Sequence, residues 1–417
     1  MFGLNKSLVK NFSSLSILQI SNYLFPIITF PYLVRVLGPD KFGLVNFAAA
    51  FVAYFNVFTD YGFNLSATKD ISINRYNQTK VNEIFSTVLV IKLILFAISL
   101  LIFSILVFTV PRFSSSWEIY LCSFLIVFGT VLFPGWFFQG MEDMKYITIT
   151  NISVKVIWTI LVFTLIRSAD DVLLLVILNG GSFILIGLFS LIILVRIFNV
   201  RFIIPSVLQI KTQLINGWYV FISTASITLY TTSNVFILGL FASNEVAGYF
   251  AAADKIRVAV QGLFSNAGST IFPYLSKMFT ESKKDAIVFV KKYRNYTVGI
   301  AMILTLMLFI FAKPIVLIVL GSGYEPSINV FRIILFLPII ILLSNIYGIQ
   351  IMLNLGYKKE FFKVIFYAGI INLILSFVLV PKFYEIGTAI SVTITEVIVT
   401  FGMWNFTRKN NLLKAES

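Results

Sequence analysis

Twelve apolar runs, each about a membrane's width in helix length, fill almost the whole of this 417-residue chain, and the segments between them are short. A run of about 20 apolar residues spans the ~30 Å hydrocarbon core as a helix. A backbone surrounded by lipid must satisfy its own hydrogen bonds, and a continuous apolar run does so only as a helix. The chain is therefore predicted to be an all-α integral membrane protein. Its twelve transmembrane helices are placed at 12–36, 43–64, 84–109, 117–139, 146–166, 172–198, 214–241, 246–276, 294–320, 328–354, 361–380 and 386–406. The first run is read as a retained helix rather than a secretory signal. It is too long, and it leads into Arg35, Gly38, Pro39 and Asp40 instead of a small-residue cleavage site.

Charge fixes the expected orientation. Of 32 Lys and Arg, 21 fall on the side of the N-terminus, five lie within spans and six lie on the far side: Arg35, Lys41, Arg112, Arg167, Lys313 and Lys382. This asymmetry predicts both termini in the cytoplasm. It also explains the net charge of +14 without nucleic acid. The longest connections, about 65–83, 199–213 and 277–293, are all on the predicted inner side. The short outer loops leave no room for an external catalytic domain. The chain has no His, which removes the commonest metal ligand and neutral-pH proton relay. Its one cysteine, Cys122, excludes an internal disulfide and reads as a small buried hydrophobe. No P-loop, nucleophile elbow or metal-ligand cluster is present. Neither an enzyme nor a cofactor-dependent protein is expected.

The connection at 199–213 divides the spans six and six, giving expected bundles 1–205 and 206–417. The halves echo each other. Leu37–Ala50 reads LGPDKFGLVNFAAA and Leu240–Ala253 reads LFASNEVAGYFAAA, each between the first two helices of its half. Gln139, Met141 and Tyr146 repeat the spacing of Gln350, Met352 and Tyr357. Six helices per half give parallel repeats, and transporters are built with their sites at such repeat interfaces.

Charges inside spans are expensive against lipid, so each asks for a partner or a water-filled surface. Asp254 and Arg257 are three residues apart and share a helix face, which Gln261 extends, while Lys255 points roughly 100° away. The plain reading is an internal ion pair that supports packing. The functional one is the polar wall of a cavity facing an anion. Arg332 opens the tenth span and reads either as a cavity cation or as a side chain snorkelling to lipid phosphate. Lys92 and Lys155 lie in the inner thirds of their spans, with the same two readings. Asp60 ends the second span, and Glu396 sits mid-span with no cation within a turn. These two and Asp254 are candidates for ion coupling. Gln139, Gln261 and Gln350 are candidate cavity polar groups. Pro26 and Pro31 are either ordinary kinks or places where the first helix bends during gating.

The stretch Ile28–Ser72 adds a further line of inference. It carries Pro-Tyr-Leu-x-Arg-x-Leu-Gly-Pro at 31–39, Phe42-Gly43, and Asp60-Tyr-Gly-Phe-Asn-Leu-Ser-Ala-Thr-Lys-Asp70. The second half carries Gly248-Tyr-Phe-Ala-Ala-Ala-Asp-Lys-Ile-Arg257, Phe272-Pro-Tyr-Leu-Ser-Lys277 and Ser344-Asn-Ile-Tyr-Gly-Ile-Gln-Ile-Met352. Together these resemble the polysaccharide transporter family, the Wzx-type flippases of O-antigen and capsular repeat units. The resemblance implies the fold of the multidrug/oligosaccharidyl-lipid/polysaccharide exporters, two six-helix bundles around a central cavity. It implies a bacterial inner-membrane protein that moves undecaprenyl-pyrophosphate-linked oligosaccharide from the inner to the outer leaflet by alternating access. An O-antigen polymerase and a chain-length regulator would be its partners. Arg35, Lys92, Lys155, Lys255, Arg257 and Arg332 are the cations expected to neutralise the pyrophosphate, Arg better than Lys. The alternatives are a cation-coupled drug exporter on the same fold, which would favour acidic spans, and an O-antigen polymerase, which would need a large outer loop.

Overall fold

A computed structural model describes residues 6–413, and the described residues are helical almost throughout. The elements are α1 (Lys6–Asp60), α2 (Phe63–Asn74), α3 (Gln78–Thr109), α4 (Pro111–Ser114), α5 (Trp117–Leu132), α6 (Gly135–Gly140), α7 (Lys145–Leu165) and α8 (Val172–Ile197). They continue with α9 (Val207–Phe241), α10 (Asn244–Glu281), α11 (Lys283–Ile310), α12 (Ala312–Leu320), α13 (Ser327–Ile334), α14 (Leu337–Asn345) and α15 (Lys358–Lys409). A 3₁₀ turn (Ala169–Asp171) precedes α8, and a π-helical segment (Ile346–Leu353) follows α14. Eight stretches among the described residues are long and apolar enough to cross a membrane, so the protein is multi-pass.

Two of those stretches, of 62 and 52 residues, are too long for one crossing. At 1.5 Å per residue a straight 52-residue helix would run ~78 Å. The 52-residue stretch is broken at one residue, and the 62-residue stretch at two places, within α1 and again at Tyr61–Gly62 between α1 and α2. In α1 the break is Gly38 (φ 68°, ψ 172°), a conformation that costs glycine little and other residues more. Helical dihedrals run unbroken through Pro26 and Pro31. In α15 the break is Tyr384, and the two arms fold onto each other. Buried Asn372 on the first arm donates to Thr395 on the second at 3.1 Å.

The chain forms two compact units. Their boundaries differ from a simple cut at 205/206, because the first unit holds residues 1–37 and 47–229 and the second 38–46 and 230–417. In the first unit, α5 and α8 pack through small residues. Gly129 faces Phe183 and Ile184, and a methyl on Gly180 would lie 2.5 Å from Leu125 Cβ. Small residues let backbones approach where lipid supplies no hydrophobic drive between helices. An aromatic core joins Phe47, Phe51, Phe103, Phe113, Tyr120 and Phe124, with Phe51 and Phe113 stacked at 4.6 Å. The start of α9 closes this unit. Phe221 stacks on Tyr61 at 4.9 Å, and Gly217 lies against Tyr61.

The second unit is built on α10–α15, with a core that includes Leu275, Ile346, Ile351, Met352 and Met403. It also takes in the Gly38–Asn46 segment. There Gly43 and Gly248 approach so closely that a methyl on Gly43 would overlap the Asn244 carbonyl, and one on Gly248 the Pro39 carbonyl. Both echo segments found in the sequence thus meet. The contact pairs Gly43 with Gly248, whereas residue-by-residue alignment of the echo would have paired Gly43 with Val246.

Two connections expected to be loops are helix. Residues 65–74 continue α2, and residues 277–293 are divided between α10 and α11 with one residue between them. Apolarity marks only the part of a helix inside lipid, so polar extensions escape it. The cap signals were present: Asn77 accepts from the Lys80 amide, and Ser282 from the Asp285 amide.

Candidate functional site

The polar groups buried within the spans are organised separately in each unit. In the first, the break after α1 at Tyr61 and Gly62, both left-handed, leaves Asp60 at a helix end. Asp60 meets Lys92 from α3 at 3.1 Å. The Lys92 side chain is only 3% exposed and that of Asp60 28%. Lys92 also donates to the Thr130 carbonyl at 3.0 Å. Thr130 donates its hydroxyl to Asn56 Oδ1 at 2.8 Å, and Asn64 donates to the second Asp60 oxygen. The ammonium is thus held by one charged and one neutral acceptor. A buried lysine is tolerable on those terms and not without them.

Sequence reasoning named Asp60 and Lys92 but missed Asn56, Asn64 and Thr130. The spacing Asn56-x3-Asp60-x3-Asn64 was the available signal, since residues four apart stack on one helical face. Lys155, on α7, instead donates to Asn22 of α1, a neutral partner. Arg35 is exposed on α1, and Gln139 is exposed at the end of α6. Met141 and Tyr146, the other members of its motif, pack against the core of this unit.

In the second unit Asp254 accepts from Arg257 Nε at 2.6 Å along α10, with the arginine the more buried of the two. Lys255 is exposed, as its angular offset requires. One turn on, Gln261 has a buried Oε1 with no hydrogen-bond partner. Gln350, 2% exposed in the π-helical segment, donates to the Gly268 carbonyl at 2.9 Å, and its Oε1 too has no partner. A π-helical insertion turns side chains off the ordinary helical register and recurs at functional positions. Met352 and Tyr357 of the same motif pack in the core, matching the roles of Met141 and Tyr146. Glu396, expected to stand alone in mid-span, is half-buried and has a partner.

Arg332 lies apart from these groups. It lines a groove of about 680 Å³ with Asn329, Ile333, Phe336, Phe309, Ile386 and Thr393. Its guanidinium carbon sits 5.7 Å from the Phe309 ring centre. The structure therefore joins Asp60 to Lys92 and Asp254 to Arg257, and leaves Lys155, Lys255 and Arg332 without a carboxylate in any described ion pair. No group of three or more His, Cys, Asp or Glu that could hold a metal occurs among the described residues.

Residues 8–279 match the family model described as "Polysaccharide biosynthesis protein". The chain is 36% identical over 408 residues to the "Putative O-antigen transporter" of Escherichia coli (strain K12), covering 98% of both chains. Among solved structures it resembles "Lipid II flippase MurJ, inward closed conformation", with a TM-score of 0.71 and 14% identity over 97% of this chain and 89% of that one. It also resembles an inward-facing multidrug resistance MATE family transporter of the MOP superfamily. That match has a TM-score of 0.67 and 15% identity over 98% of this chain and 100% of the other. At such identities these two likenesses establish the fold.

Proposed function

The chain belongs to the polysaccharide biosynthesis protein family, and from that premise we propose that it flips lipid-linked oligosaccharide repeat units across the cytoplasmic membrane. The substrate is an undecaprenyl-pyrophosphate-linked unit of O-antigen or capsule, carried from the inner to the outer leaflet. The observation that carries this reading is the relationship along the full length of a named O-antigen transporter. The fold alone would not choose, since drug exporters share it.

In this reading the chain crosses the membrane twelve times as two six-helix bundles, 1–205 and 206–417, with both termini cytoplasmic. The excess of Lys and Arg on one side supports that orientation. Alternating access moves the sugar and pyrophosphate while the lipid tail stays in the bilayer. Of the six cations expected to meet the anionic head group, Arg35, Lys92, Lys155, Lys255 and Arg257 are kept in this role, and Arg332, which lines a groove of its own, is set apart. An inside-negative potential favours its outward movement by about 2.3 kcal/mol per charge per 100 mV. Asp60 and Asp254 already neutralise Lys92 and Arg257, which supports a coupling role: protonating either carboxylate frees the cation beside it. Glu396 is the third coupling candidate, and the amides of Gln139, Gln261 and Gln350 complete the proposed polar lining. An O-antigen polymerase and a chain-length regulator would act on the product.

The test is deletion of the gene in its host with labelling of lipid-linked repeat units. The expected result is accumulation on the cytoplasmic leaflet and loss of surface polysaccharide, restored by wild type and not by Arg257→Ala. Normal surface polysaccharide with raised drug sensitivity would overturn the proposal in favour of a drug exporter.

A further inference from the structure

The groove around Arg332 is separate from both ion pairs, and its chemistry is different. Asn329, Arg332, Ile333 and Phe336 follow the i, i+3, i+4, i+7 spacing, so one face of α13 and its continuation lines it. The opposite face of α13, with Val330, Phe331 and Ile334, is buried in the core. The second arm of α15 adds Ile386 and Thr393, two turns apart, and α11 adds Phe309. Phe309 and Phe336 remain 38% and 42% exposed, so the groove opens at the surface of the unit.

Arg332 is half-buried, and the inner part of its guanidinium is out of solvent. Its Nε is buried and has no hydrogen-bond partner. Its plane is instead held near the Phe309 ring, a cation–π contact. No carboxylate lines the groove. A buried guanidinium donor with nothing to donate to is costly, so a missing acceptor is implied. The acceptor must be anionic to balance the charge. It must also be accompanied by apolar mass, because Phe309, Ile333, Phe336 and Ile386 form most of the wall.

Depth narrows the class further. Arg332 is five residues into α13, roughly 8 Å from the helix start at 1.5 Å per residue. The predicted span opens at 328, so Arg332 lies near one end of a span, where side chains can meet lipid headgroups. The groove's volume falls in the range of small-ligand sites, about 300–1,000 Å³. It would hold a headgroup and the start of a chain, and is too small for an oligosaccharide with its lipid. One guanidinium matches the single negative charge of a phosphodiester. A pyrophosphate diester brings two charges, for which the groove has one cation.

We propose that this groove is a binding site for an anionic membrane phospholipid, with the phosphodiester on Arg332 and Asn329, joined by Thr393 when its hydroxyl turns from the Ala389 carbonyl, and an acyl chain along Phe309, Phe336 and Ile386. The site shares no residue with either ion pair and stands independently of what the protein transports. Its occupant supplies the acceptor that Arg332 lacks and covers the exposed aromatic faces.

The test is native mass spectrometry of the full-length protein in detergent, titrated with phosphatidylglycerol, with thermal unfolding followed in parallel. Wild type is expected to retain one phosphatidylglycerol in preference to phosphatidylcholine and to gain thermal stability from it. Arg332→Gln should weaken that retention about tenfold or more, the scale of a lost charged hydrogen bond. Arg332→Lys should recover part of it, and Thr393→Val should show a smaller loss in a protein whose fold is not in question. Equal retention by wild type, Arg332→Gln and Thr393→Val would overturn the proposal. So would competition by glycerol 3-phosphate at concentrations similar to the lipid, since the apolar wall would then contribute nothing. Displacement by farnesyl pyrophosphate far below the phosphatidylglycerol concentration would also overturn it, and would mark the groove as a site for the transported lipid.

Discussion

The Asp60–Lys92 pair offers a quantitative test of how charge is held inside the first unit. The two partners differ in exposure, 28% for the aspartate side chain and 3% for the lysine. Asp60→Asn leaves a nearly buried ammonium with the Thr130 carbonyl as its remaining acceptor. Removing one partner of a buried pair costs about 3–5 kcal/mol. Lys92→Met leaves a carboxylate that is still held by Asn64 and open to water, so its cost should fall to about 1–2 kcal/mol, near that of one unsatisfied polar group. The double variant removes both charges and should be milder than Asp60→Asn alone. For a unit of this size a loss of 1 kcal/mol lowers Tm by about 2–4 °C. Asp60→Asn should therefore lower Tm by about 6–12 °C even at the lower bound, Lys92→Met by about 2–8 °C, and the double variant by less than Asp60→Asn. Thermal unfolding of the purified protein in one detergent reads all three, as a double-mutant cycle. If Lys92→Met proved the more damaging single change, or the double variant were worse than both, a buried cation would not be the controlling element.

Further outcomes follow from local geometry. Gly43→Ala and Gly248→Ala should each destabilise by about 1–3 kcal/mol through overpacking, because either methyl overlaps a backbone carbonyl. Gly38→Ala meets no atom within 4 Å, so its cost, about 1–3 kcal/mol, should come from backbone strain alone, since φ 68°, ψ 172° is a conformation essentially only glycine adopts. Asp171 accepts from the Arg167 and Ser168 amides at 2.8 Å each, and these bonds hold its carboxyl below the usual carboxylate range. A depressed folded value makes this cap fully present above the unfolded pKa of about 3.9 and lost as pH falls through the folded one. Protection of those two amides from hydrogen exchange, relative to the intrinsic rate at each pH, should fall as pH drops through the folded value, and Asp171→Ala should leave them unprotected at every pH.

Hydropathy located the membrane parts of the helices, because lipid leaves an apolar run one conformation. Predicted spans 117–139, 172–198 and 328–354 coincide with α5–α6, α8 and α13 through the π-helical segment to within two residues. Polar helix extensions were illegible by the same rule, since 65–74 and 277–293 are paired with water or protein rather than lipid. The breaks were half legible. Gly38 announces itself by residue type, and the break in α15 falls in the gap between predicted spans 361–380 and 386–406, although residue type does not single out Tyr384, at φ 46°, as the turning point. Of the candidate site, the local pair Asp254–Arg257 followed from spacing. The pair Asp60–Lys92 did not, because it depends on how α3 packs against the end of α1.

That pairing changes how the basic residues can serve an anion. A cation 4 Å from a unit negative charge contributes about 4 kcal/mol at an effective dielectric of 20, close to a thousandfold in affinity. Several such cations acting together would hold a pyrophosphate too tightly to release it. Lys92 and Arg257 each already spend their charge on a carboxylate of the same unit. In the proposed reading they meet substrate only as Asp60 or Asp254 is protonated or displaced, so their contribution is conditional. Lys155 and Lys255, without a carboxylate in any described ion pair, supply a constant attraction. A transporter needs both kinds: constant charge to recruit the head group, and conditional charge whose withdrawal lets it leave.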